Sequence, residues 1–328
     1  MKILITGSNG FIGSHLVKRL SNNPDHFIIG IDSMEPAYGP SLNNARMDWK
    51  ETNSNVLNRK VDISKQIPEL GINYKEIDVI IHLAAWPGVR QSEINKSSYY
   101  KNNIVAFGNV LDLVEKCNPD KFFFASSSSI YGDKGLAGAV RETDADGSNL
   151  KSYYAATKWA NEIMAKAFSK NVNSSVVALR FFTVFGAYGR PDMAYWSFAK
   201  KLLEGERIDL YGKDGGERNF TGINNLVEII EELLLNEKLK SGFDSLNIAF
   251  GEPIKTSTFL ALIAKHLNVE EYKTRNIERP KVDVEKTWAN LEKLNSFIVK
   301  KERYTLDEEV RMFCNWYKNF VNHESKLL

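Results

Sequence analysis

Lys2-Ile-Leu-Ile-Thr6 runs directly into Gly7-Ser-Asn-Gly10-Phe-Ile-Gly13, and Ser14-His-Leu-Val17 then opens a pattern of helical period. A short apolar strand, a glycine turn and a helix together describe the first unit of a parallel α/β sheet. The glycines permit a tight turn and a close backbone approach. The helix behind them presents unpaired N–H groups to a phosphate. Asp32 stands nineteen residues after Gly13, at the end of the next apolar run, where a carboxylate can hold an adenosine ribose hydroxyl. These residues predict a dinucleotide site, with the pyrophosphate over Gly7, Gly10, Phe11, Ile12 and Gly13. Ser33 and Met34 bring no positive charge for a 2′-phosphate, so NAD is expected rather than NADP.

Outward from this turn, Phe27–Asp32, Asp78–Leu83, Lys121–Ser126 and Ser175–Arg180 read as further buried strands. Amphipathic stretches at Ser98–Lys116 and Ala155–Lys170 lie between them. The alternation predicts a doubly wound α/β fold, a parallel sheet covered by helices on both faces. The second half is less regular, with helices expected at Met193–Leu203, Asn225–Asn236, Thr256–Leu267 and Leu306–Phe320 and a strand near Leu246–Phe250. We therefore expect a dinucleotide-binding domain over 1–180 with a crossover around 220–250, and a smaller substrate lobe over most of 181–328.

Composition narrows the function. Across 328 residues, 43 basic and 41 acidic side chains nearly cancel, so no basic footprint for nucleic acid is expected. Cys117 and Cys314 lie outside any paired-ligand spacing, which points to packed thiols rather than a disulfide or a metal site. No apolar run approaches the ~18 residues of a membrane span. The chain opens on a strand without a charged leader, and the expected location is cytoplasmic.

The chemistry is expected at Tyr154-Ala-Ala-Thr-Lys158, whose first and last residues lie one helical turn apart on one face. A phenol is a poor base at neutral pH until a neighbouring ammonium and an oxidised nicotinamide stabilise its anion. Ser126-Ser-Ser-Ser129 stands at the C-terminal end of the Lys121–Ser126 strand, the edge where open α/β sheets bind ligands. Four consecutive serines are poor strand formers, and there they can offer hydroxyls to a sugar oxygen.

GxxGxxG, the serine run leading into Ile130-Tyr131-Gly132, YxxxK and Asn103 together resemble the extended short-chain dehydrogenase/reductase (Rossmann-type) enzymes of nucleotide-sugar metabolism. His82-Leu-Ala-Ala85, Gly88-Val-Arg90, ASSSSIYG, YAATKWANE and RFFTVFGAYGRPDMAYW more closely resemble bacterial UDP-glucuronate 4-epimerases. The resemblance implies a UDP-sugar substrate, NAD as cofactor and a homodimer paired through two helices of each subunit. It implies Ser127, Tyr154 and Lys158 as the catalytic group. Asp62, Ile63, Leu83, Ala84, Ala85 and Asn103 would line the cofactor with the glycine turn. Ser128, Ser129 and Thr183 would face a sugar carboxylate; Arg190, Arg218 and Tyr211 would lie toward the nucleotide diphosphate; and Arg90 would contact an anion.

The implied reaction inverts C4 of UDP-glucuronate to give UDP-galacturonate, through transient oxidation and hydride return. The alternative is the same inversion on a neutral or N-acetylated UDP-sugar. Oxidation at C4 of a glucuronate makes a β-keto acid that loses CO₂ when its carboxylate stands perpendicular to the carbonyl plane, and short fixed hydroxyls can restrain it. Related dehydratases and decarboxylases carry an acid between the catalytic Ser or Thr and the Tyr-Gly, where this chain has Ser-Ser-Ile. Asn219, Asn224 and Asn225 stand where such enzymes usually show aspartates, Trp86 stands where glutamine is common, and Arg279-Pro-Lys-Val-Asp283 departs from Pro-Gly-Asp. These departures leave open how the uridine end is gripped.

Overall fold

The opening strand, β1 (Lys2–Thr6), lies inside a sheet of seven parallel strands in a computed structural model that describes residues 1–35, 38–47, 53–299 and 303–324. The others are β2 (Phe27–Asp32), β3 (Val56–Lys60), β4 (Val79–His82), β5 (Lys121–Ser127), β6 (Ser175–Phe181) and β7 (Gly242–Ile248). Their spatial order is β3-β2-β1-β4-β5-β6-β7, and every neighbouring pair is parallel. Because β1 pairs with both β2 and β4, the strand order reverses there and leaves a crevice at the carboxyl ends.

Alternate side chains of each strand enter different cores, as the two-residue period requires. Ile3 and Ile5 pack with α1 (Phe11–Ser21) and with the later helix Ile223–Leu235 on one face. Leu4, Ile80, Phe122 and Phe124 pack with α2 (Ala106–Cys117) on the other, where Ala165 of α3 (Tyr153–Phe168) also lies. A third cluster, built on α4 (Ala194–Glu204), gathers Phe185, Tyr195, Trp196, Phe259 and Phe313 from beyond β6.

Two elements differ from the sequence expectation. The strand β3 was not anticipated, because Asn58 and Arg59 interrupt its apolar run and it lies at the sheet edge. The stretch 98–116 is not one helix: a helix at Lys96–Tyr99 gives way to a π-helical turn at Tyr100–Val105 before α2 begins. Such turns insert a residue and re-aim side chains, often at functional sites. Here the turn carries Asn103 inward, 1% exposed.

Asn224 and Asn225 also find their reason in the fold. They open α5 (Ile223–Leu235), whose N-cap residue Gly222 provides no side-chain cap. Glu309, from α7 of the chain (α6 being Thr256–Leu267 and α7 Leu306–Glu324), supplies it instead. Its carboxylate accepts from Asn225 N at 3.0 Å and from Asn224 Nδ2 at 2.9 Å. Burial raises the Glu309 carboxyl above its ordinary value while these donors oppose the shift. An aspartate at 224 would repel that carboxylate where Asn224 donates to it; the Asn225 side chain instead donates to Tyr304 O at 2.8 Å and accepts from Tyr304 N at 3.0 Å. Asn219 joins loops in the same way, donating to Gly251 O at 2.7 Å and accepting from Ala289 N at 2.8 Å.

Beneath the carboxyl end of β5 lies a buried charge pair. Arg180 of β6 donates to Glu162 of α3 through Nε at 3.0 Å and Nη2 at 2.8 Å, both side chains being 3% exposed. Arg180 Nη1 reaches Tyr131 Oη and Glu142 O, each at 2.7 Å, and Tyr131 Oη donates to Asn247 Oδ1 of β7 at 2.7 Å. Ser126 of β5 donates to Glu162 Oε1. Charges this buried persist only when their hydrogen-bonding capacity is filled. Glu162→Ala should lower the unfolding free energy by about 3–5 kcal/mol in a urea titration. The pair replacement Glu162→Leu with Arg180→Met should recover most of that loss; recovery of none would mean that the polar network, not the stranded charge, sets the stability.

Candidate active site

The glycine turn is built so that nothing stands between backbone and ligand. Gly7 adopts φ +71°, and a Cβ there would lie 2.6 Å from Ala84 N in the loop after β4. A Cβ on Gly13 would lie 2.0 Å from Gly7 O, so only glycine lets α1 approach the turn. Gly10, the N-cap residue of α1, makes no side-chain cap and no acid occupies the first turn, which leaves the helix N-terminus open to an anion. Phe11 and Ile12 are its first residues. Asp32 receives Asn9 N on one carboxylate oxygen and Met34 N on the other, each at 2.9 Å, and its remaining lone pairs can serve a ribose.

Asp62 and buried Ile63 follow β3 at the same edge. Against the upward push of burial, hydrogen bonds from Ser64 N and Oγ hold the Asp62 carboxyl below its ordinary value. Leu83, Ala84 and Ala85 follow β4 across the crevice. Asn103 holds the next residue by its backbone, accepting from Trp86 N at 2.8 Å and donating to Trp86 O at 3.1 Å. It also donates to Thr157 Oγ1 of α3 at 3.1 Å, so the loop after β4 is tied to the helix that carries Tyr154 and Lys158. The cradle fits a dinucleotide.

Ser152 caps α3 through Ala155 N, and Tyr154 emerges in the first turn with its N–H held by Ser92 Oγ at 3.0 Å. Burial raises the Tyr154 phenol above its ordinary value; the Arg190 charge and a hydrogen bond with Ser127 pull the other way. Lys158 Nζ donates to Ala125 O at 2.9 Å and sits 5.9 Å from the Tyr154 ring. Burial brings its ammonium down to about 8. The Arg190 charge thus acts on the phenol in addition to the Lys158 that the helical spacing singles out.

The four serines do not act alike. Ser126 is turned away to Glu162 and is 2% exposed, so it cannot meet a sugar. Ser127 accepts from Ser129 Oγ at 2.9 Å and Ser129 N at 3.2 Å, which commits the Ser129 hydroxyl proton to Ser127. Ser128 and Phe182 line one narrow gap, since Ser127 pairs with Phe181 and the two chains leave the sheet side by side. Thr183 follows in a short strand paired with Phe220–Gly222.

The arginines separate into two groups. Arg190, chelated by Asp192 at 3.0 and 2.8 Å, lies over Gly88, and its charge reaches the Tyr154 phenol. Arg218 donates to the carbonyls of Glu217, Glu285 and Val284, and burial with the nearby Arg279 and Arg90 charges brings it down to about 10. Arg90 joins that group. It lies 4.4 Å over the Tyr211 ring, donates to Tyr211 Oη at 3.1 Å and pairs with Asp283 at 2.6 Å. Arg279, not counted among the site residues from sequence, completes the cluster by donating to Tyr211 O at 2.9 Å. Its altered motif was the available signal.

The sequence model of the NAD dependent epimerase/dehydratase family matches residues 3–249. The chain belongs to that family. Its fold and its NAD dependence follow the family's. An uncharacterized protein of Methanocaldococcus jannaschii is 36% identical over 96% of this chain and 95% of its own length. A probable UDP-glucuronate 4-epimerase of Rhizobium meliloti is 32% identical, with 97% of each chain covered. The crystal structure of UDP-glucuronic acid 4-epimerase from Bacillus cereus in complex with UDP-glucuronic acid and NAD is similar at a TM-score of 0.87. It is 30% identical and covers 97% of this chain and 99% of its own. Among the described residues no helix is long and apolar enough to cross a membrane, and no cluster of His, Cys, Asp and Glu suits a metal ion.

Gly13→Ala should therefore weaken NAD binding by more than about tenfold, about 1.4 kcal/mol, in a calorimetric titration. Gly108→Ala in α2, where a Cβ meets nothing within 4 Å, should bind as the parent does. Equal affinities in the two variants would remove the glycine turn from the NAD site.

Proposed function

We propose that the protein inverts C4 of UDP-glucuronate to give UDP-galacturonate. The observation that carries the reading is the constellation at the end of β5: Tyr154 against Ser127, with Lys158 behind, hydroxyls alongside and no acid between Ser127 and Tyr131. NAD, held by the glycine turn and Asp32, supplies the acceptor and donor of the C4 hydride. Tyr154 takes the C4 hydroxyl proton and later returns it, while Ser127 holds the oxygen through which the proton passes. Lys158 holds the nicotinamide ribose, and Arg90, Arg218, Arg279 and Tyr211 bind the nucleotide diphosphate.

Ser128 and Thr183 hold the sugar carboxylate near the carbonyl plane, and Ser129 fixes Ser127 in support. The positions of Ser127 and Phe181 opposite one another support this grouping. In this reading residues 1–180 carry the cofactor and most of 181–328 the nucleotide sugar, within a cytoplasmic homodimer. Tyr100, Val105 and Ile163, exposed around the π-turn and on α3, support the pairing of two copies there.

The test is product analysis by NMR at C4 after incubation with UDP-glucuronate, UDP-glucose and UDP-N-acetylglucosamine in separate reactions. Inversion of the first and not the others supports the proposal; inversion of a neutral sugar alone replaces it. Thr183→Val sharpens the test, because valine keeps the branched shape and removes a hydroxyl donor worth about 1.5–3 kcal/mol to a carboxylate. The variant should release CO₂ and a decarboxylated pentose nucleotide that the parent does not form. A variant as fast and clean as the parent would mean that no carboxylate lies against Thr183.

A further inference from the structure

Beyond Asp32, Arg46 ends a short helix, Pro40–Ala45. Its guanidinium is almost completely covered, yet Arg46 donates to the backbone of a distant turn. Nε and Nη2 reach Tyr188 O at 3.0 and 2.7 Å, and Nη2 reaches Gly189 O at 3.3 Å. That turn is conformationally costly. Tyr188 holds φ +56°, a left-handed geometry that a bulky residue adopts only when its surroundings impose it. A Cβ on Gly189 would lie 1.8 Å from Tyr195 Oη, and that hydroxyl accepts from Arg190 N at 3.1 Å. The turn is thus gripped from both sides immediately before Arg190.

Beyond the turn, Arg190 extends over Gly88. A Cβ there would meet Arg190 Nη2 and Tyr99 Oη, each at 3.6 Å. The Tyr99 ring in turn stands 6.3 Å from that of Tyr154. Asp192 chelates Arg190 and also engages Tyr38, which precedes the Arg46 helix. The segment leaving Asp32 therefore holds the Gly186–Met193 stretch at two points.

We propose that Arg46 is a positioning residue that fixes the Tyr188–Gly189 turn so that the Arg190 guanidinium stands against Tyr154. The inference rests on Tyr154 as the proton acceptor of the proposed reaction. Through it, the segment beside the ribose-holding Asp32 sets the charge felt by the phenol. Lys158 faces that phenol from its own helix, Ser127 from β5, Tyr99 from the helix Lys96–Tyr99, and Arg190 with Asp192 from the turn; Glu93 binds Tyr153 N beside it. Of these groups, Arg190 and Asp192 hang from the turn that Arg46 holds.

The test follows the Tyr154 phenol directly, as the ultraviolet difference between each NAD-loaded protein and the same protein carrying Tyr154→Phe. No sugar substrate is needed. Arg46→Met should move the phenol titration to higher pH by about one unit, as expected when a nearby cation withdraws. Arg190→Met should do the same, and the double variant should move no further. Arg46→Lys keeps the buried charge but cannot span two carbonyls in one plane, and it should shift the phenol in the same direction. It also decides the matter if Arg46→Met does not fold. An unchanged midpoint in the Arg46 variants that fold, whatever their thermal stability, would overturn the proposal, as would a double variant whose shift equals the sum of the two. Full turnover by Tyr154→Phe would sink the Tyr154 assignment itself and this inference with it, a result distinct from either.

Discussion

A guanidinium and a carboxylate buried together, Arg180 against Glu162, constrain the whole sheet edge that carries Ser127, Tyr154 and Lys158. Glu162 lies two turns after Tyr154 on α3, with Lys158 between them on the same face. Arg180 projects from β6 beside β5, which carries Ser127. Ser126 joins the pair, and its neighbour Ser127 is thereby delivered to the opposite face of the strand. Tyr131, Glu142 and Asn247 fill the remaining hydrogen bonds and tie in the loop after β5 and the strand β7. Neither charge can leave without stranding the other in a medium that does not solvate it. Helix, strand end and loop therefore share one geometry, and the spacing of Tyr154, Lys158 and Ser127 is set from below.

The sheet and the dinucleotide turn could be read from the chain because both depend on local pattern. Near-continuous apolar runs such as Ile3–Ile5 mark strands buried on two faces, and Gly7, Gly10 and Gly13 mark backbone that no side chain can share. Strand β3 escaped because an edge strand with Asn58 and Arg59 breaks that pattern. The π-turn at Tyr100–Val105 inserts a single residue between two helical stretches, a shift too small to break the apolar pattern of the whole segment. Tyr154 with Lys158 could be paired from helical spacing alone, and Ser127 from its place at a strand end.

Contacts across long sequence separations leave no such trace. Ser126 meeting Glu162, Arg46 meeting Tyr188, and Asn224 and Asn225 meeting Glu309 each join elements whose approach is decided by packing. For that reason the asparagines, which looked like altered substrate contacts, are helix-docking residues. The turn at Gly186–Gly189 carries Arg190 over Gly88, and Arg218 lies with Arg279 and Arg90. The charge layout that results is uneven. Arg90, Arg218 and Arg279 gather around Tyr211 and the Val284–Glu285 backbone, Ser128 lies beside Phe182, and the Arg190 charge reaches the phenol.

The central claim is that a hydride leaves C4 and returns to the same carbon on its other face. The measurement that reaches it most directly is NMR of the product formed from UDP-glucuronate labelled with deuterium at C4, in ordinary water. The account requires UDP-galacturonate that retains the deuterium at C4, because a hydride that leaves and returns to one carbon within the site would not exchange with solvent. Product carrying hydrogen at C4, with the deuterium lost to water, would mean that C4 is inverted by proton abstraction and would contradict the account.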